Sequence, residues 1–489
     1  MSLRSQTVSG VGWSFYGRFI QQGIKLALTI FLMRLLGTEA FGLIGMALVF
    51  IGFGNLFKKM GFGAALVQRS KLSESHYTST FFFNIGIGLL FTCLLIYTAP
   101  LIARFYTAPD LTLILKVLSL NFVIGAFGIV PQAVLERSMQ FNILSKIQIG
   151  TAAGSGIIVV IAAYAGVGVW ALVIESMLTT LFNSILFLIF SNWRPKLSFS
   201  WRAISHLWSY SSNLVGFHFI NYWSRQLDDL LIGKYMGASS LGIYTRAYFL
   251  MLLPNKQVIS VISRVMFSAL SKIKHEKKKV KKVYLRAMGI LSFIIFPMMI
   301  GLFVVAEPFV LALFGQKWSG MIPIVQILSW IGVIQTLNNP TGWLYQSQGK
   351  TNWMFWIGVF GSGTLIVGII IGVWLGSIES VAISYGVANV LITYPFITIA
   401  GKLINMNFME VIKKVFPSFL LSLVMAIIVY GSSFLITTDS FLLELIVEVT
   451  VGVTVYVILA SLFDIKAYNE LKTIALEIYT DFKNKRSKS

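Results

Sequence analysis

Apolar blocks of about 20 residues, set apart by short basic connections, recur along this chain of 489 residues. A hydrocarbon core roughly 30 Å thick takes about 20 apolar helical residues to cross. The chain is therefore expected to be an all-α integral membrane protein. Hydrophobic residues make up 56% of it and Asp, Glu, Lys and Arg only 12%. The informative residues are then the polar ones that spanning helices carry despite the cost.

Apolar length gives about 14 candidate spans, centred on residues 13–34, 40–57, 80–103, 111–135, 147–167, 169–190, 211–235, 240–263, 286–312, 321–346, 353–376, 379–401, 415–436 and 441–463. The loops after even-numbered spans are basic, with Lys58 and Lys59, Arg137 and Lys146, Arg194 and Lys196, then Lys402, Lys413 and Lys414. Loops after odd-numbered spans offer isolated charges such as Arg104 and Lys317. Lys and Arg are retained on the cytoplasmic side, so both termini are expected in the cytoplasm. The first residues, Met1 to Thr7, lead into an apolar stretch without a small-residue cleavage site, as an uncleaved first span does.

The net charge of +21 suggests nucleic acid at first sight. The basic residues lie in loops, however, and retention at the inner face accounts for them without a nucleic-acid partner. The segment Ser271–Arg286 is the densest basic run. It reads either as a clamp for anionic lipid or as a plain inner loop between two halves. Cys93 is the single cysteine, which excludes a disulfide framework, and the four histidines lack metal-ligand spacing. No cofactor or metal is expected.

The chain aligns with itself at an offset of about 200 residues. Phe19-Ile20 matches Phe219-Ile220, Arg34 matches Lys234, Gly37 matches Gly237, Gly42 matches Gly242 and Ala47 matches Ala247. Both copies of the motif end one helix and begin another, and their glycines suit a tight turn at the far membrane face. Six spans separate the copies, so the repeat is parallel, an arrangement that builds two similar lobes about a central cavity. The lobes are expected at residues 1–205 and 206–405, followed by two more spans in 406–465 and a basic tail at 466–489.

A charge at the middle of a span costs roughly 2.5–3.5 kcal/mol on insertion scales and marks a functional candidate. The first span carries Arg18, Gln21, Gln22 and Lys25, with 18, 22 and 25 on one helix face and 21 at its margin. The seventh carries His218, Asn221, Arg225, Asp228 and Asp229. Under the same offset Arg18 aligns with His218, Gln21 with Asn221 and Lys25 with Arg225. Two such stripes facing a shared cavity would receive an anion, and the Arg fork suits phosphate oxygens. Asp228 and Asp229 are placed to pair with Arg225 or to carry a coupling proton. The competing reading puts Arg18 and Asp229 near the interfaces, where long side chains snorkel. Arg34 and Lys234 read as interfacial, and Glu175 and Glu307 as single carboxylates. Tyr222 and Trp223 fit a sugar path or an interfacial belt. No catalytic triad, P-loop or Asp-rich metal motif is present, so no enzymatic activity is expected.

The segment from Asp228-Asp229-Leu230 through Gly237-Ala238-Ser239-Ser240-Leu241-Gly242 to Tyr248 resembles the seventh-to-eighth-helix region of polysaccharide exporters. Pro131–Phe141, Gly12-Trp13-Ser14 and the Arg34–Gly42 turn fit the same pattern. Together they resemble the lipopolysaccharide and exopolysaccharide repeat-unit flippases of the colanic-acid and teichuronic-acid exporter branch, within the multidrug/oligosaccharidyl-lipid/polysaccharide exporter superfamily. The resemblance implies two six-helix lobes with two C-terminal helices in the bacterial inner membrane. It also implies a substrate of oligosaccharide on undecaprenyl pyrophosphate, moved to the outer leaflet for a polysaccharide polymerase. The alternatives are an ion-coupled drug or cation antiporter of the same superfamily, against which the excess of Arg and Lys speaks, and a membrane polymerase or ligase, which would need a longer outer loop.

Overall fold

The structure, a computed structural model, describes residues 3–58, 62–69, 72–435 and 438–486. Among them every regular element is helical: α1 Leu3–Leu35, α2 Thr38–Lys58, α3 Phe62–Gln68, α4 Glu74–Tyr106, α5 Leu111–Arg137, α6 Phe141–Tyr164, α7 Trp170–Phe190, α8 Trp201–Lys272, α9 Lys277–Val304, α10 Ala306–Phe314, α11 Ile322–Asn338, α12 Thr341–Ser347, α13 Thr351–Trp374, α14 Ile378–Lys402, α15 Phe408–Ser433, α16 Phe441–Leu462 and α17 Lys466–Arg486. A short 3-10 helix, Gln316–Met321, joins α10 to α11. Eleven spans among the described residues are long and apolar enough to cross a membrane. The three further spans in the sequence count of about 14 fall within α1 and α8, the helices that carry the polar stripes. Length and composition thus support 11, and the count of 14 is not established by this criterion.

Contacts divide the chain into two compact units, Met1–Gly242 and Ile243–Ser489. This boundary lies inside α8, past the one near residue 205 expected from the repeat. In the first unit α4 packs along α5, α5 along α7, and α1 along α6. Small residues allow these approaches. A methyl on Gly88 of α4 would sit 2.8 Å from the Phe122 carbonyl oxygen of α5.

In the second unit α9 is central, packed on α11 and α15, while α11 leans on α14 and α14 on α13. The Tyr456 hydroxyl of α16 donates to the Phe293 carbonyl of α9 at 2.9 Å. Lipid tails are as apolar as leucine, so helix association here rests on close contact and not on burial from water. The α13–α14 pair shows this plainly. Only 11% of the apolar window of α13 is buried, yet Gly368 and Gly372, spaced as small-xxx-small, face α14. A Cβ on Gly372 would lie 2.5 Å from the Val381 Cα, and one on Gly368 would lie 2.9 Å from the Ser384 carbonyl oxygen.

The tail helix α17 follows α16 after Asp464, a residue in the left-handed region at φ 48°. It docks on α9, where Arg286 pairs with Glu470 at 3.1 Å.

Gly372→Val is expected to force α13 off α14 and to lower the unfolding temperature of the purified protein by several degrees. Gly363→Val, whose site has nothing within 4 Å, should leave it within about 1 °C. A thermal unfolding scan in detergent compares the two.

Candidate functional site

Packing fixes one side of α1. A Cβ on Gly17 would meet the Ser145 Cβ at 2.5 Å, the Ser145 hydroxyl donates to the Trp13 carbonyl at 2.9 Å, and Leu28 lies against Gly156 of α6. At about 100° per residue, Arg18, Gln22 and Lys25 fall about 100° around the helix from that side, with Gln21 between. Arg18 and Lys25 are exposed, and Gln21 and Gln22 half-buried. Arg18, Gln22 and Lys25 share a face that α6 leaves uncovered, with Gln21 at its margin.

His218, Asn221 and Arg225 stand on the helical backbone of α8, and their side chains lie outside the described residues. Asp228 is buried, and its Oδ1 accepts the backbone N–H of Asp229 at 3.0 Å. Asp229 is half-buried and within electrostatic reach of the Tyr106 and Tyr222 hydroxyls. Asp229 is thus near two tyrosines that the sequence had not grouped with it.

Residues 222–242 of α8 run antiparallel to α2. The Tyr222 hydroxyl donates to the Val49 carbonyl at 2.5 Å, over Gly52, where a methyl would come within 2.4 Å of that oxygen. Trp223 packs its ring 5.3 Å from that of Phe53. About three turns further, Gly233 fits between Met46 and Tyr106. Lys234 Nζ donates to the Phe105 carbonyl at the C-terminal end of α4, lying 4.9 Å from the Phe105 ring centre. A cation there offsets the negative end of that helix.

At the far end the two copies of the repeated motif interlock. A Cβ on Gly42 would fall 1.7 Å from the Ala238 carbonyl oxygen, and one on Gly242 would fall 2.0 Å from the Thr38 carbonyl oxygen. The contact is reciprocal, as a local two-fold relation demands. The Thr38 and Ser239 hydroxyls share a hydrogen bond of 2.6 Å beside it. Gly237, with φ 83°, breaks α8 at this point, whereas Gly37 needs no positive φ. The sequence had paired these glycines by alignment and had not foreseen that they touch.

The second unit carries satisfied polar groups inside its helices. Gln335 donates to the Tyr385 hydroxyl at 3.0 Å, which lies 3.1 Å from the Tyr248 hydroxyl. Thr336 donates to Asn255 Oδ1 at 3.1 Å, and Asn255 donates to the Gly332 carbonyl at 3.2 Å. Glu448 of α16 is different: it is 2% exposed, and its Oε2 has no partner among the described residues. It is more buried than Glu175 or Glu307, the carboxylates that the sequence brought forward. Its place at the middle of an apolar block, one turn after Glu444, was the available sign. No group of three metal-ligating side chains occurs among the described residues.

Residues 31–323 match the family described as polysaccharide biosynthesis protein. The chain belongs to that family. It is 29% identical over 430 residues to the teichuronic acid biosynthesis protein TuaB of Bacillus subtilis, covering 86% of this chain and 87% of that one. To the lipopolysaccharide biosynthesis protein WzxC of Escherichia coli it is 27% identical over 438 residues, covering 88% of each. Among solved structures the family member is similar to the lipid II flippase MurJ in an inward closed conformation, with TM-score 0.71 at 17% identity over 95% of this chain and 99% of the other. An inward-facing multidrug resistance MATE transporter of the MOP superfamily gives TM-score 0.64 at 15% identity, covering 79% of this chain and 94% of that one. These last two likenesses concern the fold.

Thr38→Cys with Ser239→Cys, in a Cys93→Ala background, is expected to cross-link in most molecules under mild oxidation, read as a mobility shift after proteolysis between the two sites. Adding Gly42→Val should cut the yield severalfold, because a larger side chain cannot share space with the Ala238 carbonyl.

Proposed function

We propose that this protein is a flippase of surface-polysaccharide biosynthesis, moving lipid-linked oligosaccharide repeat units across the bacterial inner membrane. Membership of the polysaccharide biosynthesis family supports the pathway, and the MurJ-like fold supports the mode. The observation that carries the reading is the stripe of Arg18, Gln21, Gln22 and Lys25 on a face of α1 that is not packed on α6. Two cations held in a spanning helix are costly unless an anion or water meets them.

In this reading Arg18, Lys25 and Arg225 hold the pyrophosphate of an undecaprenyl carrier, with Arg donating bidentate bonds to its oxygens. Gln21, Gln22, His218 and Asn221 bond sugar hydroxyls, and the prenyl tail stays in lipid. Asp228 and Asp229 tune the cationic field or take up a coupling proton as substrate leaves.

The cycle would expose the site alternately to the two membrane faces. The glycine contact at the α1–α2 turn would close the outer face and part to open it. Direction then requires that the two states differ in substrate affinity or that an ion gradient biases them. Both termini would lie in the cytoplasm, and the unit delivered outside would feed a polysaccharide polymerase. No bond is made or broken, so the chain acts as a transporter and not as an enzyme.

Arg18→Ala and Arg225→Ala are each expected to lower surface polysaccharide at least about tenfold, the loss of one charge-assisted hydrogen bond to phosphate. Membrane insertion should be unchanged by immunoblot. Normal polysaccharide in both variants overturns the site. Export of a cationic drug with no polysaccharide defect would favour an antiporter instead.

A further inference from the structure

A groove of about 630 Å³ opens beside the junction of α16 and α17. From α15, Lys413 and Lys414 line one end, and Leu420 and Val424 follow on successive turns. From the other side come Leu459 and Phe463, and beyond the Asp464 turn Lys466. Charge lies at one end and hydrocarbon along the rest. Pro417, Leu420, Val424 and Phe463 are exposed, which only an apolar surrounding tolerates without cost.

The cations in this groove differ from their neighbours. Lys281 is taken by Glu410 at 2.5 Å, Arg286 by Glu470 at 3.1 Å and Lys279 by Glu276 at 2.6 Å. The basic run before and within α9 is thus partly neutralised in place. Lys413, Lys414 and Lys466 have no ion pair or hydrogen bond among the described residues. The one carboxylate in the lining, Asp464, accepts from Asn469 at 2.5 Å. The stem of Lys414 is bedded on α9, where Gly289 leaves room: a Cβ there would be 2.7 Å from Lys414 Cε.

We propose that this groove binds one anionic phospholipid from the leaflet that the basic loops face. Its phosphate would lie among Lys413, Lys414 and Lys466, and one acyl chain along Leu420, Val424, Leu459 and Phe463. A cavity of this size suits a head group and the first part of a chain. Basic pockets between spans on the inner side are built for such head groups. The apolar wall favours a lipid over a free anion. The lining also argues against a glycolipid head, since Ser418 is its single neutral hydrogen-bonding side chain and has nothing beside it to read a sugar. The lipid would join α15 to the α17 helix that Arg286 already ties to α9.

The test is binding of phosphatidylglycerol to the purified full-length protein in detergent, followed by native mass spectrometry, with phosphatidylcholine as the uncharged reference. Wild type should prefer phosphatidylglycerol. Lys413→Gln, Lys414→Gln and Lys466→Gln together should weaken it roughly 100-fold, at roughly fivefold per lysine. Leu420→Trp with Val424→Trp should also abolish the preference by filling the groove while its charges stay. Lys277→Gln, Lys278→Gln and Lys282→Gln, which remove equal charge from the exposed start of α9, should change nothing. The proposal is overturned by unchanged binding in the lysine variant or by an equal loss in the α9 control. Displacement by millimolar inorganic phosphate, or by undecaprenyl phosphate in preference to phosphatidylglycerol, overturns it as well. Transport is not read in this assay, so its outcome is independent of the function proposed above.

Discussion

Two helices in hydrocarbon gain nothing by hiding apolar surface from each other, because the lipid they displace is equally apolar. What holds such a bundle is contact close enough for dispersion to add up, and glycine provides it by letting backbones approach. Gly88 of α4 against α5, Gly368 and Gly372 of α13 against α14, and the reciprocal Gly42 and Gly242 each occupy a place where a methyl would collide with backbone. The many large apolar side chains that remain exposed, such as Leu90, Ile427 and Val453, then need no further explanation. They face lipid.

The same medium sorts the polar groups. Some inside the second unit are matched to one another, as in the Asn255–Thr336–Gly332 and Tyr248–Tyr385–Gln335 sets. Those on the free side of α1 are not taken up by α6, its packing neighbour. A cation in a span is unfavourable in isolation and would become favourable with a phosphate beside it, which is what the proposed function asks of Arg18 and Lys25. Glu448 and Asp228 add buried carboxylates within the helices, and Asp229 a half-buried one.

The curated relatives are polysaccharide biosynthesis proteins by name, and the structural neighbours are by name a lipid II flippase and a multidrug resistance MATE transporter. A common fold does not select the cargo. In the function proposed here, the stripe on α1 is what would favour an anionic cargo over a cationic drug.

Span positions, the basic bias of alternate loops, the repeat and the polar stripe were all readable from residue order, because each depends on neighbours within one helix or one loop. Fold class and family followed from them and from the quoted motifs. Glu448 was readable too, by the same cost argument, and was passed over for Glu175 and Glu307. Other features had no trace in the order of residues. The mutual seating of Gly42 and Gly242, the Tyr222 bond to Val49 and the neutralisation of Lys281 and Arg286 all join residues far apart in the chain, and that Lys413, Lys414 and Lys466 have no ion pair among the described residues is equally a matter of packing. Helix periodicity says which side a residue occupies, but only the packed structure decides what that side meets, since the closest approach of two backbones is set by every side chain between them.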